Sequence, residues 1–120
     1  MRMWMVDPGE MCRQHLLGEH SEIHKHRHNF VKGHNISGRI EGNAVEPEAM
    51  QERHDALVSE MLKRGYKHNS PYEQPDLSKY PIETRQAKVN IQEARKLLEK
   101  KCLRCLQQRV KNKERTLLDD

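Results

Sequence analysis

The sequence predicts an all-α protein, a single compact domain of three main helices with an extended N-terminal arm. Three observations carry this reading. At 120 residues the chain has the length of one domain, residues 1–120, with a modest core. Helix-start signals stand at Asp7-Pro8-Gly9-Glu10 and Glu46-Pro47-Glu48, with a stop signal at Lys63-Arg64-Gly65. Between and beyond them, apolar residues recur at helical spacing.

The elements follow in order. Met1-Arg2-Met3-Trp4-Met5-Val6 is mostly apolar and partly alternating, which suits a short extended arm that packs into the domain and pins the N-terminus. The first helix is expected from Pro8 to about His24 or beyond. Asp7 suits its cap, Pro8 its first position, and Glu10 completes a capping box. Met11, His15, Gly18 and Glu22 then share one stripe, and Cys12, Leu16, Glu19 and Ile23 the next. The first stripe is polar where a core helix would be apolar. Gly18 costs about 1 kcal/mol relative to Ala in mid-helix, which predicts close approach of backbone or ligand there.

The histidine-rich run His24-Lys25-His26-Arg27-His28 blurs the end of this helix. Gly33, Gly38 and Gly42 mark a long surface loop carrying Lys32, His34 and Arg39. The second helix opens with acidic residues at Glu46-Pro47-Glu48 and presents Met50, Leu57, Met61 and His54 on one stripe. Gly65 is its left-handed cap. Pro71, Pro75 and Pro81 make the next stretch irregular and stiff. A third helix is expected from about Glu83 to Lys113, with Val89, Leu97, Leu98, Leu103, Leu106 and Val110 on its apolar faces.

Composition narrows the function. Aromatic residues make up 4% of the chain and mean hydropathy is −1.06, so the core is thin. No stretch approaches the roughly 20 apolar residues of a membrane span, and the N-terminus has no apolar signal region. A soluble, intracellular (cytoplasmic) monomer is therefore expected. Residues 1–60 hold seven Lys/Arg against ten Asp/Glu, and residues 61–120 fifteen against eight. The basic second half suits either a polyanionic partner or a solvated helix face. Three cysteines argue against a disulfide framework. Cys102-Leu103-Arg104-Cys105 has metal or redox spacing, but it lies in a helical pattern without a second CxxC, so a structural role is expected.

Two blocks carry a resemblance. Gln14-His15-Leu16-Leu17-x-Glu19-x-x-Glu22 follows closely on an N-terminal arginine. Glu52-Arg53-His54-Asp55-Ala56-Leu57-Val58-Ser59-Glu60-Met61-Leu62-Lys63-Arg64-Gly65-Tyr66 is followed by His68-Asn69-Ser70-Pro71. In this order they resemble the pyrimidine-dimer DNA glycosylase family, of the phage endonuclease V type. The resemblance implies a DNA repair enzyme, a glycosylase and abasic-site lyase acting on damaged double-stranded DNA. It implies Glu22 as the catalytic carboxylate and the α-amine of Met1 as the nucleophile, with no cofactor and no metal. Arg2, Gln14, His15, Lys25 and Lys32 fall where the family places DNA-contacting residues. Arg2, being large, favours retention of Met1. The sequence departs from the phage pattern at Ser21, where an arginine is expected, and at its tail, which lacks the tyrosines and reads Lys111-Asn112-Lys113-Glu114-Arg115.

Two other classes remain open on the residues alone. His20, His24 and His28 repeat every fourth residue, a spacing that suits zinc or nickel on one helix face and a His-rich metal-binding protein. The basic helix and loop also suit a non-enzymatic nucleic-acid-binding module, which has no use for Glu22 or a pinned N-terminus.

Overall fold

Asp7 opens a helical turn as expected, accepting from the Gly9 backbone N–H at 2.9 Å, but tertiary contacts cut that turn short. The computed structural model describes residues 2–119, with side chains through Glu114. All regular structure among them is helical. In order come a 3₁₀ turn (Pro8–Glu10), α1 (Arg13–Lys32), α2 (Ser37–Glu41), a second 3₁₀ turn (Pro47–Ala49), α3 (Met50–Lys63), α4 (Ile82–Arg85), α5 (Ile91–Lys101) and α6 (Leu103–Asp119). The all-α class stands, with α1, α3 and the α5–α6 stretch as its main parts.

The first helix begins later than expected because its would-be second turn has better partners elsewhere. Arg64 donates to the Pro8 and Met11 carbonyls at 3.2 and 2.7 Å. The Cys12 N–H donates to Cys105 Sγ at 3.3 Å. Met11 is extended and buried, so the α-helix starts at Arg13. Glu10 completes no capping box; it pairs with Arg95 at 3.1 Å. Gly9 is buried under α6, and a Cβ there would lie 2.6 Å from Asn112 Oδ1, so any larger residue would have to displace the Asn112 side chain.

At its other end α1 runs through the histidine run to Lys32 and stops on Gly33 at φ 70°. Part of the expected loop is the short helix α2. Helix α3 ends as expected, with Gly65 at φ 86°. The stretch between α3 and α4 holds no regular element.

The third expected helix is divided. Pro81 starts the one-turn α4, Asn90 caps α5 by accepting from Glu93 N–H at 3.1 Å, and extended Cys102 (φ −138°, ψ 103°) separates α5 from α6. Periodicity alone gave no sign of these breaks, which serve side-chain contacts to the N-terminal segment. The apolar assignments on this stretch are corrected as well. Val89 and Leu98 are buried, but Leu103, Leu106 and Val110 face outward. Among the described side chains of α6, Cys105 is the buried one.

The core is built on Met, Leu, Ile and Val, as the composition requires. Met3, Met11, Leu16, Ile23, Met50 and Leu57 are all 0% exposed. Helix α1 sends Leu16, Glu19, Ile23, His26 and Phe30 into it and packs against α3.

Candidate active site on the first helix

The arm is held by backbone and by one buried ion pair. Met3 N–H donates to the Ala44 carbonyl at 2.7 Å, and the Met3 side chain fills the core. Val6 is buried, and its carbonyl accepts from Arg53 at 2.6 Å. Arg53 in turn makes a bidentate pair with Glu19, 2.6 Å at Nε and 2.9 Å at Nη2. Both side chains are almost fully buried. Arginine suits this place because its planar fork serves a carboxylate and a carbonyl together. The two motif blocks are thus joined by Glu19 from the first and Arg53 from the second. Neither residue had a role in the sequence reading.

So anchored, the arm delivers its first peptide unit to α1. The Arg2 backbone N–H donates to Glu22 Oε2 at 2.9 Å. The Arg2 guanidinium lies over the Trp4 ring, 4.6 Å from its centroid, a cation–π contact. Trp4 meets the His15 ring edge-on at 6.0 Å. Burial lowers the Arg2 pKa from its ordinary value, while Glu19 and Glu22 pull it back up. Arg2, Trp4, His15 and Glu22 therefore form one patch. Met1, the expected nucleophile, lies outside the described residues.

Gln14, Gly18, Glu22, Lys25 and Lys32 follow the same flank of α1 by helical spacing. No backbone approaches Gly18: a Cβ there would meet nothing within 4 Å. That half of the expectation fails, and what remains is open space in front of Gly18. Gln14 and Lys25 are exposed. Lys25 borders a shallow groove of about 410 Å³ with Ser21, Asn29 and Arg39. Lys32 borders a separate hollow with Lys79 and Tyr80. Beneath the flank, burial and the Arg39 guanidinium push His26 down to about 4, so it is neutral and accepts from Arg39 at 3.3 Å. His15 keeps its place on the flank, but its Nδ1 faces Cys12 Sγ at 3.2 Å and Cys105 Sγ at 3.5 Å.

The histidine run resolves differently from its spacing. His28 is exposed and pairs with His34, 5.6 Å between ring centroids, rather than with His20 and His24. In its place His54 from α3 and His68 from the following stretch meet His20, at 4.9 Å each. Burial, then His54, His24 and His68, push His20 down to about 4. A sequence shows i,i+4 neighbours on one helix; it does not show what a second helix brings to them. His54 was readable only as part of the apolar stripe of α3.

No helix among the described residues is long and apolar enough to cross a membrane. No curated protein and no solved structure gives a significant match to this chain. Residues 1–74 match the family model described as pyrimidine dimer DNA glycosylase. The matched stretch takes in the arm, α1, α3 and all four clustered histidines, and it leaves α4–α6 outside. With well over half of its 120 residues inside that match, the chain belongs to the pyrimidine dimer DNA glycosylase family, DNA repair enzymes that act on DNA.

Proposed function

We propose that the chain excises a damaged pyrimidine, a pyrimidine dimer first among candidates, from double-stranded DNA and then cleaves the abasic strand by β-elimination. The observation that carries this reading is the 2.9 Å bond from the Arg2 peptide N–H to the Glu22 carboxylate. It ties the residue next to Met1 to the carboxylate that the family resemblance marks. An α-amine has a reference pKa of about 7.7–8.0, so a useful fraction is neutral near pH 7, unlike a lysine.

In the proposed sequence the target nucleotide is flipped out of the stack. The neutral Met1 amine attacks C1′, and the base leaves, taking up a proton. Loss of an amine proton and opening of the sugar ring give a cationic imine, which the Glu22 carboxylate stabilises. Glu22 then takes a proton from C2′, the electrons expel the 3′-phosphate, and water hydrolyses the imine to free the amine. Arg2, Gln14, His15, Lys25 and Lys32 are the proposed DNA contacts, with the cations on phosphates and Trp4 beside the gap left in the duplex. One copy of the chain supplies every residue named, so the reading is of a monomer acting on DNA inside a cell.

A non-enzymatic binding module has no use for an arm anchored on Glu22. Borohydride reduction in the presence of abasic and cyclobutane-dimer duplexes decides the matter. A covalent protein–DNA adduct is expected with both, and is expected to vanish when residues are added ahead of Met1. Trapping that survives such a tag assigns the nucleophile to another amine; no trapping and no cleavage with either duplex removes the enzymatic reading.

A further inference from the structure

We propose that this chain holds two metal ions, one in a Cys₃His site of Cys12, His15, Cys102 and Cys105, the other in a four-histidine site of His20, His24, His54 and His68. Neither site enters the proposed catalytic steps; His15 is shared with the proposed DNA contacts, with its Nδ1 turned to the sulfurs.

The first site joins Cys12-x-x-His15 to Cys102-x-x-Cys105, distant in sequence and adjacent in space. One ligand atom from each of the four lies within 4.8 Å of all the others. A tetrahedral zinc with Zn–S of about 2.3 Å and Zn–N of about 2.0–2.1 Å holds its sulfurs about 3.8 Å apart and sulfur from nitrogen about 3.5 Å. The structure gives 3.9 Å from Cys12 Sγ to Cys102 Sγ, and 3.2 and 3.5 Å from His15 Nδ1 to Cys12 and Cys105 Sγ. A disulfide needs sulfurs about 2.05 Å apart, and all three cysteines are free. Each pair also straddles a helix start, Cys12 capping α1 and Cys102 immediately preceding α6. The Cys12 N–H already donates to Cys105 Sγ at 3.3 Å. Three thiolates and one imidazole select zinc. The ion would clamp α5 and α6 onto the segment that leads into α1.

The second site is carried by a separate observation. Nε2 of His20, His24, His54 and His68 are all buried without a hydrogen-bond partner. Ligand nitrogens from the four rings lie within 4.8 Å of one another. Stacked rings alone would leave four polar atoms unsatisfied, which native interiors avoid. His54 Nδ1 donates to Asp55 at 3.1 Å. That bond fixes the tautomer and frees Nε2 as a lone-pair donor, the usual support for a metal-bound histidine. Four neutral imidazoles suit a divalent first-row transition ion of the zinc, copper or nickel type.

The test uses the full chain, free of a histidine tag, stripped by chelator and reloaded with Zn²⁺ or Co²⁺. Native mass spectrometry is expected to count two ions, and chelation to lower the melting temperature reversibly. The cobalt form is expected to show a thiolate-to-cobalt charge-transfer band. Cys105→Ser should lose that band and one ion, while His15→Cys keeps both. If Cys105→Ser does not fold, the half-buried Cys102→Ser reads the same loss. His54→Gln should keep the band and lose the other ion. Absence of the band overturns the first site. Two ions still bound by His54→Gln overturn the second, and no ion bound by the zinc-treated protein overturns both.

Discussion

The two flanks of α1 come from one helix and are built in opposite ways. Gly18 looks out on open space and Lys25 on a shallow groove, Gln14 is exposed, and the arm is laid on Glu22. His20 and His24, two residues either side of Glu22, pack on His54, His68 and Tyr72, with His24 also edging that groove. Between them runs the buried stripe with Glu19 and Ile23. The contrast teaches what burial demands. On the open flank a polar group is free to serve an incoming strand. In the stripe Glu19 needs a partner from another element and Arg53 comes from α3 to supply it, whereas on the closed flank His54 brings only a ring and leaves the buried Nε2 atoms unpaired.

The strongest way to sharpen the contrast is Glu22→Gln, which keeps shape and hydrogen bonding and removes charge. Positioned acid–base groups contribute about 10²–10⁴-fold. Strand cleavage in single-turnover assays should fall by that range, while DNA affinity holds or rises slightly, since one negative charge near phosphates is gone. Equal losses in binding and cleavage would mean that Glu22 only supports the arm.

The buried stripe should fail by unfolding instead. Arg53→Met strands the Glu19 carboxylate and should cost about 3–5 kcal/mol in urea denaturation. The paired change Glu19→Leu with Arg53→Met should recover most of that loss, because no buried charge then lacks its partner. The more exposed pair of Glu10 and Arg95 should be worth about 1 kcal/mol or less.

Gly18 separates stability from function on a single residue. With nothing within 4 Å of a Cβ, Gly18→Ala should raise stability by about 1 kcal/mol. Gly18→Leu should remain folded yet weaken DNA binding and cleavage, if the space in front of it is where the strand passes. A fully active Gly18→Leu removes that flank from the DNA interface. The smallest effect is expected from Lys25→Ala, a uniform loss of affinity across sequences with the salt-dependence slope reduced by about 0.9.

Much of this was legible. The Asp7 cap, the Gly65 stop and the irregular proline stretch are local chemistry, and local chemistry is what a sequence displays. The arm and Glu22 were readable through the motif and its distance from the N-terminus. Other features required knowing which distant residues become neighbours. Glu19 and Arg53 stood in the two motif blocks with no partner assigned, and Leu103, Leu106 and Val110 looked like a core face. Cys102 and Cys105 were set aside for want of a second CxxC, although Cys12-x-x-His15 carries the same spacing with one ligand exchanged.

The contact between Cys12 and Cys105 also sets a timetable. The two residues are 93 apart, and a ribosome adding about 5–20 residues per second separates their appearance by roughly 5–20 s. Once Lys63 has been added, the residues of the arm, α1 and α3 are all present, but the seat that α5 and α6 provide for Asp7, Gly9 and Glu10 is not. The nascent enzyme therefore carries its Glu22 carboxylate for seconds before the support beneath its first turn is made. The first turn of the candidate site is therefore completed by residues made long after those they support.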